Sequence, residues 1–171
     1  YYTGLYSLTV DIEPEKGGNV NIDPEKESYN KGEQITLTAT PEEGYEFNNW
    51  TGDVEGIDNT ELKEVTLTMP DNDLSINANF SAINYTVDVR IQPEEGGSIS
   101  GDGIYNIDDD VTLNATPNDG YEFVNWTDSE GNEVSGDSVY KFTMPSEDVS
   151  FIANFDSDSQ TGVWGGEKTE I

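Results

Sequence analysis

The chain has 171 residues, room for one domain or two small ones, and its 33% hydrophobic and 11% aromatic content can form a packed core, so the high charge does not mean disorder. Seven Lys and Arg against 36 Asp and Glu leave a formal charge of −29, a field that repels phosphate backbones and anionic headgroups and so excludes nucleic acid and membrane surfaces as expected partners. Without His or Cys there is no Ser-His-Asp or Cys-His relay, no disulfide and no zinc site of the usual nitrogen and sulfur ligands.

In chain order, Tyr1-Tyr2-Thr3-Gly4 lacks the basic and apolar regions of a signal peptide, so a secreted parent would carry its signal upstream. No later run approaches the ~18 apolar residues of a membrane span, and no membrane insertion is expected. Leu8, Val10 and Ile12 alternate at period two, which predicts a half-buried strand, and turn residues follow at 14–18. The same alternation recurs in Ile35, Leu37 and Ala39, then, after turn residues at 41–44, in Tyr45 and Phe47. The stretch 53–64 is the one most open to helix, but Gly56 interrupts it and a loop is expected. Val65, Leu67 and Met69 form the next strand, Met69-Pro70 ends it, and Leu74, Ile76, Ala78 and Phe80 form the last.

The whole pattern then repeats. Tyr6 to Gly18 matches Tyr85 to Gly97 at a spacing of 79 residues, the Ile35 to Thr51 block matches Val111 to Thr127 at 76, and Leu67 to Phe80 falls on Phe142 to Phe155. The second copy predicts strands at Val87, Val89, Ile91; Val111, Leu113, Ala115; Tyr121, Phe123; Tyr140, Phe142, Met144; and Val149, Phe151, Ala153, Phe155, with a loop over 128–138. The expected organisation is a first module over 1–80, a short linker at 81–84, a second module over 85–155 and a tail at 156–171 that repeats nothing and contains Trp164. A linker so short is no flexible tether, so the modules should sit nearly head to tail. The fold class is mainly β, two tandem small β-rich modules with little or no helix.

Three blocks carry a family resemblance: the opening Tyr-x-Val/Leu-x-Val strand, the Pro-x-x-Gly-Tyr-x-Phe-x-x-Trp block, and the closing Thr-Met-Pro-x-x-Asp-x-x-x-x-Ala-x-Phe. Together they resemble the internalin-type B repeat, also called the Listeria-Bacteroides repeat, and especially its divergent branch, over about residues 5–80 and 84–155. The resemblance implies β-grasp-like modules strung along bacterial cell-surface or secreted proteins, where they serve as spacers or stalks and in some cases in adhesion, without catalysis. The alternative is a module that binds a glycan or a host or matrix protein, or an accessory domain of a secreted enzyme.

Among candidate sites, paired carboxylates could cleave glycosides only in a cleft that small repeats seldom enclose, so no enzyme is expected. Gly101-Asp102-Gly103 lacks the Lys-Ser/Thr of a phosphate loop and reads as a turn. Trp50 and Trp126 are core anchors or, as ligand-binding candidates, stacking platforms for a sugar. No cofactor is expected; calcium is the ion that suits this oxygen-rich chain, with Asp71, Asp73, Asp108, Asp109, Asp110 and Asp128 as candidate ligands, although none lies in an Asp-x-Asp/Asn-x-Asp/Asn-Gly loop. The expected partners are extracellular proteins or glycans, and the fragment is expected to be monomeric.

Overall fold

The computed structural model describes residues 4–158 and divides the chain between Asn84 and Tyr85 into two compact units. The first contains β1 (Leu5–Tyr6), β2 (Leu8–Glu13), β3 (Gly18–Asp23), β4 (Tyr29–Asn30), β5 (Gln34–Pro41), β6 (Tyr45–Gly52), β7 (Glu64–Thr68) and β8 (Leu74–Ala82). The second contains β9 (Asn84–Gln92), β10 (Gly97–Ser100), β11 (Gly103–Asn106), β12 (Asp110–Pro117), β13 (Tyr121–Asp128), β14 (Glu133–Ser135), β15 (Val139–Thr143) and β16 (Val149–Ser157). Among the described residues the helical elements are two single 3-10 turns, Glu15–Gly17 and Glu94–Gly96.

Each module pairs its first and last long strands in parallel, Leu8 opposite Leu74 in one and Val87 opposite Val149 in the other. The Tyr-Glu-Phe strand completes that sheet antiparallel, in the order β2-β8-β6 and, extended at both sides, β11-β9-β16-β13-β14. A second antiparallel sheet, β3-β5-β7 or β10-β12-β15, supplies the other side of the core. In each module the sheet with the parallel pair, β2-β8 or β9-β16, is covered by a second sheet rather than by an α-helix.

Alternation does what it predicts, because successive strand side chains point to opposite faces. On β5, Ile35, Leu37 and Ala39 are buried, and on β8 Ile76, Ala78 and Phe80 meet them in one cluster with Trp50 and Met69. Val111, Leu113, Ala115, Phe151, Ala153, Phe155, Trp126 and Met144 form the equivalent cluster in the second module. Each repeat therefore completes its own core.

Several strands lie where the sequence suggested turns or linker. β3 begins at Gly18 and carries only Val20 and Ile22 as its apolar pair, too short an alternation among Asn and Asp to stand out. The 81–84 linker is mostly strand: Ser81 and Ala82 pair with Glu46 and Tyr45 at the end of β8, and Asn84 already opens β9. The tail likewise begins later than expected, since Asp156 and Ser157 pair with Glu122 and Tyr121; its remainder from 159, with Trp164, lies outside the described residues. Both modules close alike, Ile83 N–H donating to Gly44 O at 2.7 Å and Asp158 N–H to Gly120 O at 2.7 Å.

The Gly-Gly pair after the first long strand has a packing reason. A Cβ on Gly17 would stand 2.7 Å from Phe80 Cβ, and one on Gly18 would meet the Phe80 ring and lie 2.7 Å from Thr40 O. Gly96 and Gly97 meet Phe155 the same way, the first at 2.6 Å from its Cβ. The backbone at Gly18 and Gly97 is extended (φ 171 and 179), so the requirement is space for the ring. Gly18→Ala and Gly97→Ala should each destabilise their own module by about 1 to 3 kcal/mol through overpacking. Gly56→Ala, where nothing lies within 4 Å of the added carbon, should stay within about 0.5 kcal/mol of wild type in urea unfolding followed residue by residue by NMR.

Candidate functional site

The Tyr-x-Phe-x-x-Trp block runs along β6 and β13, and both strands shift register between their Phe and the second residue beyond it (Phe47/Asn49 and Phe123/Asn125). The shift brings Phe and Trp three residues apart onto one face. Phe47 sits 5.2 Å from the Trp50 ring and edge-on, 5.5 Å, to Phe80; Phe123 repeats this with Trp126 at 5.5 Å and Phe155 at 5.7 Å. On the outer side the Asn79 amide donates to Asn49 Oδ1 and Thr51 Oγ1, both at 3.0 Å, and Asn154 does so to Asn125 and Thr127 at 3.0 and 3.1 Å. These Asn-Thr clamps explain the Asn-Trp-Thr and Ala-Asn-Phe motifs and escaped notice because their partners are about 30 residues apart in sequence.

Trp50 and Trp126, named above as ligand-binding candidates, are not exposed platforms. They are 1% and 0% exposed, and their indole N–H groups donate inward to Leu62 O at 2.8 Å and Asp137 O at 3.0 Å. Enclosing such a ring removes roughly 150 to 250 Å² from water, at most about 4 to 6 kcal/mol of driving force, and leaves no face for a sugar.

The candidate calcium ligands are dispersed, and among the described residues no group of three or more acidic side chains is placed to hold a metal. Each does local work. Asp73 Oδ1 accepts the Ser7 N–H at 2.8 Å, as Asp148 does for Thr86 at 2.7 Å, so the Asp of the Met-Pro-x-x-Asp motif ties down the entry of the parallel strand. Asp71 pairs with Lys31 at 3.0 Å, and that hydrogen bond holds its pKa below the ordinary value; both side chains are well exposed, so the pair adds little. Asp109 Oδ2 accepts the Asn106 N–H, while Asp110 opens β12 opposite Thr143. Asp108 occupies a left-handed position (φ 65) that Gly32 (φ 88) fills in the first module; there each donates its N–H to the carbonyl of the buried methionine, Met144 or Met69.

Asp128 separates the two copies. It occupies the position of Gly52, whose φ of 96 and close approach to Ser75 O admit no side chain. After Gly52 the chain turns back over the start of β8, where Asp53 exchanges backbone and carboxylate bonds with Ser75, and it buries Ile57 before returning to Leu62. After Asp128 the chain makes a tight turn, the carboxylate accepting N–H groups of Glu130 and Asn132 at 2.9 Å and the Asn132 side chain at 3.0 Å, and then pairs as β14 with β13. The loop expected over 128–138 therefore contains a short strand.

The first copy's course leaves a cleft of about 210 Å³ between this loop and the Met-Pro turn. Leu67, Pro70 and Leu74 line its apolar side, and Asp53, Glu55 and Asn72 its polar side. In the second copy Phe142 stands in place of Leu67 and packs with Tyr140 and Phe151 at 5.2 and 5.3 Å.

Two copies of one self-cored all-β unit, with acidic side chains spent on turns, define a tandem-repeat protein. The chain matches the divergent InlB B-repeat domain at residues 8–84 and 87–159, and it belongs to that family. Membership identifies it as a repeat region of the kind found in bacterial surface proteins, a family that is generally non-catalytic. No curated protein matches the chain. Among the described residues no helix is long and apolar enough to cross a membrane.

Two outcomes follow. In a Trp164→Phe background, acrylamide should leave the fluorescence of Trp50 and Trp126 largely unquenched, and Trp50→Ala should cost the first module about 3 to 5 kcal/mol in urea unfolding. Asp128 has its pKa lowered, chiefly by the Asn132 side-chain bond, so its stabilisation is present above the unfolded aspartate value and lost as pH falls through the lower folded one. The stability gap between wild type and Asp128→Ala should thus be full at neutral pH and close below about pH 4.

Proposed function

We propose that the two modules act as a spacer in a bacterial surface or secreted protein, repeated folded units that set apart or present what adjoins them, in the manner of an adhesin-like stalk. The observation that carries this is duplication with self-sufficiency: each copy buries its own core, and Ile83 alone separates the last strand of one from the first strand of the next. Chain length then adds reach without new chemistry.

The acidic surface serves solubility on this reading and keeps like-charged copies apart. Carboxylates already bonded to backbone N–H groups do not need calcium to order their turns, and the fragment stays monomeric, with no affinity for nucleic acid or bilayers.

A glycan array probed at physiological salt, with calcium and with chelator in parallel, should show no saturable binding, and chelator should leave the unfolding midpoint of both modules unchanged. Reproducible glycan binding, or a midpoint that falls on chelation, would replace the spacer with a ligand-binding or calcium-dependent module.

A further inference from the structure

We propose that the cleft of the first module receives one lysine or arginine side chain from a basic segment of a partner protein. The proposal goes beyond spacing, and it rests on the difference between the copies.

Three properties of the cleft select this occupant. Its apolar side, with Leu67 only 2% exposed and Pro70 and Leu74 half-buried, suits an aliphatic stem. Its rim carries Asp53 and Glu55, and among the described residues no Lys or Arg lines it, so a cationic head meets two carboxylates; the Ser75 N–H, 2.9 Å from Asp53 Oδ2, fixes one of them in place. At about 210 Å³ the space is below the roughly 300 to 1,000 Å³ that drug-sized ligands occupy and is on the scale of a single side chain. Lys and Arg are the side chains that bury a hydrocarbon stem while keeping a charged head at a polar rim. The field of a chain with charge −29 steers cationic partners toward it and repels acidic ones, a second copy of this chain included.

The second module supplies an internal control. Asp128 in place of Gly52 sends the chain into β14, and at the position of Asp53 stands Ser129. Uptake is therefore a property of the first copy alone.

The test is an NMR titration of the whole 171-residue chain with a capped Gly-Gly-Lys-Gly-Gly peptide and its norleucine counterpart at about 0.15 M salt, where long-range surface attraction is largely screened. The lysine peptide should shift the amides of Gly52, Asp53, Thr68, Asn72 and Leu74 saturably, and the norleucine peptide should not. Asp53→Asn with Glu55→Gln should weaken binding about tenfold or more. Asp102→Asn with Glu147→Gln, the same charge change placed in the second module, should leave binding unaltered. The proposal is overturned if shifts spread evenly over both modules, if the two double variants weaken binding equally, if norleucine binds as well as lysine, or if no amide shifts saturably.

Discussion

The structure of each module depends on one aromatic chain: Trp against Phe, that Phe edge-on against a second Phe, and the second Phe lying on two glycines. The rings come from two strands, β6 and β8 or β13 and β16, and the glycines from the turn after a third, where the second sheet begins, so this single packing arrangement ties the two sheets together. It also fixes the loop, because the buried indole N–H must find an acceptor and takes the carbonyl of Leu62 or Asp137. Just beyond, Lys63 O and Ser138 O accept the N–H of Ala39 and Ala115, so the loops regain register before the next strand however they began.

Acidity in this fold is organised at short range and unorganised at long range. Asp73, Asp109, Asp128 and Asp148 each satisfy backbone N–H groups that an irregular turn would otherwise leave to water. Glu33 and Asp53 do the same for Asn30 and Ser75, and among the described residues no three acidic side chains are grouped to hold a metal.

Divergence between the copies is concentrated where the core does not constrain it. Both loops between the Trp strand and the next strand start beside the buried indole and end on the same hydrogen bond, and between those points they are free. One residue directs the difference. Gly52 reaches a left-handed conformation and lets Asp53 fold back over β8, while Asp128 spends its carboxylate on its own turn and starts a hairpin. The first copy caps its core with Ile57 beside its cleft; in the second, Phe142 in place of Leu67 packs with Tyr140 and Phe151.

The amino-acid sequence alone determined the duplication, the all-β class, most long strands and the family, because period-two alternation and the Gly, Pro and Met-Pro punctuation are local signals present twice. It did not separate Trp as core anchor from Trp as ligand platform, since an aromatic side chain reads the same whether or not a second sheet covers it. Nor did it reveal the parallel pairing of first and last strands, the Asn-Thr clamps, the reason for the paired glycines or the cleft by Asp53. Each of those joins residues about 20 to 65 positions apart, and only the tertiary structure, by bringing strand ends together around the aromatic chain, decided them.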